Sequence, residues 1–170
     1  MIRPATSDDL KEILAIYNDA IVNTTAVYSY HAQTIEDRTI WFDQKMKDGY
    51  PVIVFEVDGH VAGFATFGPF RAWPAYKYSI EHSVYVSNDY QKRGIGRTLL
   101  QEIIQLAKNG EYKTLVAGID AANEKSILLH QSLGFTHSGT LRNAGYKFER
   151  WLDLAFYQLD LEGPETPVEG

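Results

Sequence analysis

The chain contains no cysteine. That absence excludes disulfides, thiolate metal sites and a cysteine nucleophile. It also lacks any apolar run of about 18 residues, the minimum for a membrane span. Met1 leads directly into structured-looking sequence, so no signal peptide is expected, and cytoplasm is the expected compartment. A surplus of positive charge is missing too. Sixteen Lys and Arg stand against 22 Asp and Glu, a net charge of −6. Nucleic-acid binders normally carry a dominant basic field, so neither nucleic acid nor membrane is an expected partner. No repeat and no low-complexity segment occurs, and no histidine pair has metal-ligand spacing, so no metal is expected.

What is present is an ordinary globular composition, 45% apolar and 22% charged over 170 residues, enough for one domain with a substantial core. "MIRPAT" reads as a first strand, and Thr6 or Ser7 can cap a helix with Asp8 and Asp9 in its first turn. Leu10, Ile13, Leu14, Tyr17 and Ile21 then repeat at helical spacing. A second helix is expected over Glu36–Lys47, after Thr34. "PVIVFEVDGHVAGFATFG" is a hairpin pattern around Asp58-Gly59, a pair able to take the positive φ angles of a tight turn. A strand over Ile80–Val86 precedes a helix burying Ile95, Leu99, Ile103 and Leu106 or Ala107. "KTLVAGID" reads as a buried strand and "NEKSILLHQSLGF" as a helix closed by Gly134. Strands near Thr136–Leu141 and Trp151–Gln158 complete the chain. This order predicts an α/β (α+β) fold, one domain over residues 1–161 with a mixed central sheet flanked by helices. The tail at 162–170, "EGPETPVEG", lacks apolar periodicity and is expected to be loose.

One connection stands out. "VYVSNDYQKRGIGRTLL" passes from a strand pattern to a helix pattern through three basic residues and two glycines. The first turn of a helix has unpaired N–H groups and the positive end of the dipole. Glycine there lets an anion approach the backbone, and Arg93 and Arg97 add charge. Gln91, Lys92, Arg93, Gly94, Ile95, Gly96 and Arg97 thus form a candidate pyrophosphate site. No Walker lysine follows, and Leu99 stands where a dinucleotide fingerprint needs its third glycine. A tight strand-to-helix turn without ligand is the competing reading.

The Gln-x-x-Gly-x-Gly run after a strand resembles the acetyl-CoA loop of the GNAT family of N-acetyltransferases. "NEKSILLHQSLGF" resembles that family's later helix. "IEHSVYVS", "NTTAVY" and "GTLRNAGYKFERWLDLAFYQLDL" resemble its phosphinothricin and methionine sulfone/sulfoximine acetyltransferases. The resemblance runs from Ile2 to Leu161. It implies a GNAT fold, acetyl-CoA as cosubstrate, direct attack of an amine on the thioester in a ternary complex, and a homodimer. It also implies roles. Glu81 is the base that takes the amine proton, its pKa raised by apolar neighbours. A backbone N–H at Val86 or Tyr85 faces the developing oxyanion, with Val84, Tyr85 and Val86 pairing to the pantetheine arm. His130 stands where many relatives carry a tyrosine that protonates the leaving thiolate; packing beside the cofactor is its alternative. Asn123 contacts pantetheine or caps its helix, with Ser126 beside it.

The stretch "FGPFRAWPAYKYSIEH", rich in aromatics and holding two prolines, reads as a shaped acceptor loop. Arg71 suits a forked grip on a carboxylate or another oxyanion. Phe70, Trp73 and Tyr78 are candidate walls beside Glu81; Tyr28, Tyr30 and Lys147 are weaker candidates, as are His82 and His137. Equally, the aromatics can simply staple the loop to the domain. The leading expectation is a small amino-acid analogue as acceptor: methionine sulfone, methionine sulfoximine or phosphinothricin. A protein N-terminal or polyamine acetyltransferase and a non-catalytic acyl-CoA-binding module are the alternatives.

Overall fold

The computed structural model describes residues 1–170. Seven strands and four α-helices alternate along the chain: β1 (Ile2–Pro4), α1 (Leu10–Asn23), α2 (Ile35–Asp48), β2 (Val52–Val57), β3 (His60–Pro69), β4 (Ser79–Val86), α3 (Ile95–Asn109), β5 (Thr114–Asp120), α4 (Glu124–Ser132), β6 (Thr136–Lys147) and β7 (Arg150–Asp160). The strands hydrogen-bond in the order β1-β2-β3-β4-β5-β7-β6. Only β4 and β5 pair in parallel, with α3 as their crossover. Two compact units divide the chain, residues 1–67 with 83–103 and residues 68–82 with 104–170.

In the first unit, Leu10, Ile13, Ile16, Phe42, Val54 and Phe64 form an apolar core, with Tyr17, Trp41 and Tyr85 packed against it. Burial of each such large side chain contributes about 1.5–3 kcal/mol. The buried face of α1 is Leu10, Ile13, Ile16, Ala20 and Ile21, whereas the expected Leu14 and Tyr17 lie only half inside. A short 3-10 turn over Ser7–Asp9 precedes α1, closed by a capping box between Thr6 and Asp9. Asp9 does more than face a dipole. Its carboxylate takes two hydrogen bonds from Arg3, at 2.8 and 2.9 Å, and is held below the usual carboxylate range by them. The Asp58-Gly59 turn has φ of +51° and +80°, as that dipeptide predicts.

In the second unit, β5 carries Leu115, Val116, Ala117 and Ile119 inward and pairs with β7 along its length. β6 and β7 are longer than the sequence pattern indicates. Their connection is Phe148-Glu149, both left-handed at φ +53° and +61°, without a glycine to announce it. Asn143, also left-handed, lies where the β6–β7 register shifts between Leu141 and Gly145. A polar, irregular-looking stretch is therefore a strand interrupted by a bulge. Gly134 closes α4 at φ +97°. Residues 162–170 contain no helix or strand.

Candidate functional site

The strand-to-helix connection has the geometry of an anion cradle. Lys92 and Gly94 are both left-handed, φ +63° and +75°, so the backbone curls before α3 begins at Ile95. A non-glycine residue held there carries strain of about 1 kcal/mol or more, the kind found at ligand clamps. A Cβ on Gly94 would meet nothing within 4 Å, and one on Gly96 would meet Val86 at 3.5 Å. Gly94 is thus required by its φ, and the space before it is open. Thr98 donates to the Gly94 carbonyl through both its backbone N–H (3.1 Å) and its hydroxyl (2.9 Å). The first-turn amides of residues 95–97 precede that ladder. Lys92, Arg93, Gly94 and Arg97 are exposed, whereas Ile95 is buried as the helix's anchor in the core. The Arg93 guanidinium stands 5.2 Å from the centre of the Tyr90 ring. Gln91 is fastened differently: its side-chain amide donates to the Val86 carbonyl at 3.0 Å, tying the loop to the end of β4.

β4 has two differently used edges. Ser87 donates to Ala62 on β3 at 2.8 Å. A Cβ on Gly63 would stand only 2.9 Å from the Tyr85 carbonyl, so β3 and β4 approach closely there. Backbone groups alternate along a strand, so Tyr85 and Ser87 face β3 while Val84 and Val86 face the opposite edge. On that edge the ladder with β5 covers Ser79–Thr114, Ile80–Leu115 and Glu81–Val116. The Val84 and Val86 backbone lies beyond it. Parity therefore leaves the Val86 N–H, rather than that of Tyr85, on the edge turned away from β3. The Tyr85 ring belongs to the core, 5.1 Å from Phe64 and 5.5 Å from Tyr17.

Glu81 stands where the β4–β5 ladder ends. Burial pushes its carboxyl above the ordinary range, and the Arg71 charge opposes this. Room for the carboxylate comes from Gly118 on β5. A Cβ at that glycine would meet Glu81 Oε2 at 3.1 Å and Leu154 Cδ1 at 3.3 Å. Arg71 is exposed, donates to the Phe70 carbonyl at 2.9 Å and lies 4.2 Å over the Phe70 ring. Phe70 packs edge-on to Tyr76 and Phe156. Trp73 is 75% exposed. The Tyr78 hydroxyl is engaged elsewhere, accepting from Val168 N–H at 2.9 Å in the C-terminal tail. Lys147 is buried near Phe148 at the β6–β7 turn, and this desolvation lowers its pKa.

On the other face of β4, His82 and His130 stack, with their Nε2 atoms 3.1 Å apart. His130 Nδ1 lies 2.7 Å from the Ser126 carbonyl, which can only accept, so Nδ1 carries the proton. His130 Nε2 is then a lone pair facing His82 Nε2, and the Val116 backbone also acts on the buried His82 ring. Burial pushes His82 down to about 3 and lowers His130 as well, so both rings are neutral at pH 7. His130, 7% exposed, has no spare N–H for a thiolate. Its geometry is that of a bolt between α4 and β4. Asn123 caps α4, its Oδ1 accepting from Ser126 N–H at 3.2 Å.

Residues 2–156 match the family described as Acetyltransferase (GNAT) domain. The chain belongs to the GNAT acetyltransferase family. It is 60% identical to an N-acetyltransferase of Staphylococcus aureus Mu50, with a TM-score of 0.94 and coverage of 95% of this chain and 98% of that one. It is 43% identical over 162 residues to the L-methionine sulfoximine/L-methionine sulfone acetyltransferase of Pseudomonas aeruginosa, covering 95% and 94%. A GNAT superfamily phosphinothricin acetyltransferase from Sinorhizobium meliloti, solved in complex with AcCoA, has a TM-score of 0.94 at 35% identity, covering 100% and 94%. In this GNAT chain the cradle, Glu81 and Arg71 are candidates that the sequence pattern singles out, whereas Gly118 and the bonding of His82 carry no motif. The one available signal for His82 was strand parity: it falls on the same face as buried Ile80.

Proposed function

We propose that the protein transfers the acetyl group of acetyl-CoA to the α-amine of a small amino-acid analogue by direct attack within a ternary complex. The observation that carries this is the desolvated Glu81 carboxylate, with the Arg71 charge acting on it, on the strand whose free edge ends at Val86. Acetyl-CoA supplies the activated acyl group. The open curl at Lys92–Gly94, the first turn of α3, and Arg93 and Arg97 suit its diphosphate. Arg71 grips the acceptor carboxylate. Glu81 takes the ammonium proton directly or through one water, leaving a neutral amine to attack. The Val86 N–H faces the oxyanion. His130 acts by holding α4, with Asn123 and Ser126, against β4 rather than by donating a proton.

The neutral reach of this chemistry fits an amino acid better than a polyamine, for which the exposed Arg71 is repulsive. The reading is tested with a panel of amines and acetyl-CoA, followed by thiol release. Turnover of methionine sulfone, methionine sulfoximine or phosphinothricin, with polyamines and peptide N-termini inert, is expected. Turnover confined to polyamines or peptides would refute it, and acetyl-CoA binding without turnover of any amine would make the chain a binding module.

A further inference from the structure

Residues 162–170 form no helix or strand, yet polar contacts hold both ends of this segment. At its start, Leu161 N–H donates to the Lys113 carbonyl at 2.8 Å, and Lys113 Nζ donates to the Glu162 carbonyl at 3.3 Å. Gly163 then turns the chain at φ +72°, so close to Lys113 that a Cβ there would stand 2.9 Å from Lys113 Cδ. Left-handed backbone and close approach both call for glycine. Pro164 and Pro167 follow, each with φ preset by its ring, which lowers the freedom the segment loses when it is ordered. Near the end, Val168 N–H donates to the Tyr78 hydroxyl at 2.9 Å, and that hydroxyl donates to the Val168 carbonyl at 3.3 Å. One phenol thus joins both backbone groups of a single residue.

Tyr78 ends the loop that carries Arg71. Residues 71–77 are all exposed, so the shape of this loop rests on local bonds and on its two ends. Phe70 N–H donates to the Ser79 carbonyl at 3.2 Å and closes the neck. Inside, Tyr76 N–H donates to Trp73 at 3.0 Å and Lys77 N–H to Pro74 at 3.1 Å, forming one 3-10 turn. The Tyr76 ring meets Phe70 edge-on, and Phe70 lies beneath Arg71. The Tyr78 carbonyl accepts from Lys113 N–H at 2.8 Å. Lys113 therefore holds the Tyr78 backbone and the start of the tail, while the end of the tail holds the Tyr78 ring. Loop and tail are closed into one ring of contacts.

We propose that the C-terminal segment is a strap that keeps the 70–78 loop in the shape presenting Arg71, and that Tyr78 is a positioning residue fastened to it rather than a wall of the acceptor site. The inference rests on the proposed function for the part that Arg71 plays. A loop ordered in advance binds its ligand without the ordering cost that a mobile one meets. Apparent affinity falls in proportion to the fraction of molecules holding the competent shape. Two exposed hydrogen bonds move that fraction severalfold, not by orders of magnitude. The effect falls on acceptor KM rather than kcat, because Arg71 touches the acceptor and not the reacting atoms.

The test uses three substitutions in the full chain, with thermal denaturation checking the fold. Tyr78→Phe removes the hydroxyl, and Val168→Pro removes the N–H that it accepts from. Val168→Ala keeps both backbone groups and trims a side chain that is 59% exposed. In the first two, KM for L-methionine sulfone is expected to rise about threefold to tenfold, with kcat and acetyl-CoA affinity unchanged. The double variant is expected to be no worse than either single one, since both break the same link. Hydrogen exchange at the Tyr76 and Lys77 amides should quicken by a similar factor, and Val168→Ala should change neither readout. Unchanged exchange in Tyr78→Phe overturns the strap. So does a fall in kcat at constant KM, a double variant whose effects multiply, or a Val168→Ala that matches Val168→Pro. Failure to acetylate methionine sulfone or phosphinothricin, with acetyl-CoA still bound, removes the proposed function and the part of Arg71 with it; amide exchange then still decides the strap.

Discussion

The cradle at residues 91–97 and the Glu81 corner use opposite physics. In the cradle the exposed side chains are basic, the backbone is left-handed at two positions and open space lies before Gly94. Amides, a helix terminus and screened charge suit an anion there and need little burial. At the Glu81 corner, burial itself is the instrument. Desolvation raises one carboxyl, and on the reverse face of β4 it keeps two imidazoles neutral. The lesson is that an anion site can be assembled from one contiguous stretch. A carboxyl raised by burial depends on residues from β4, β5, β7 and the 70–78 loop that share no sequence neighbourhood.

The contrast is broken most sharply at Glu81. Glu81→Gln is expected to lower kcat/KM by about 10²- to 10⁴-fold near neutral pH while acetyl-CoA affinity stays unchanged. In the unaltered protein, activity is expected to rise with pH as Glu81 loses its proton, with the acid limb above the ordinary carboxylate range. In Glu81→Gln that limb disappears; full turnover in this variant would assign the proton to another group. The second expectation concerns the paired histidines. Both folded pKa values are depressed, so the unfolded chain binds more protons below about 6.5. Stability is present above that pH and is lost on acidification toward the folded values. Each ring contributes up to about 1.4 kcal/mol per pH unit, and denaturant unfolding of His82→Phe should lose one ring's share of the slope. A flat profile in the unaltered protein would mean that the pair holds a proton. The smallest effect belongs to the cradle. Arg93→Ala should weaken acetyl-CoA binding by only about 0.5–1 kcal/mol, and calorimetric titration should show a shallower dependence on salt. Equal affinity at every salt concentration would leave the arginine as a solvated charge.

Legibility followed the same division. Elements with strong periodicity or a turn dipeptide lay where expected: α2 within one residue at each end, the Asp58-Gly59 hairpin, and α3 buried through Ile95, Leu99, Ile103 and Ala107. The β6–β7 hairpin was underestimated because its turn takes positive φ without glycine and its strand is bulged at Asn143. Tyr78 looks like a pocket wall in the sequence, but its hydroxyl meets the tail 90 positions away, a pairing no local pattern encodes.

The sequence by itself determined the alternation of strands and helices and the phosphate-type loop, because backbone geometry, dipole and charge there are set by residues within a few positions of one another. Only the tertiary structure decided which edge of β4 is free, that Gly118 leaves space for the Glu81 carboxylate, and that His82 and His130 are neutral partners. Those properties follow from desolvation and from contacts between distant segments, and neither exists until the chain has folded.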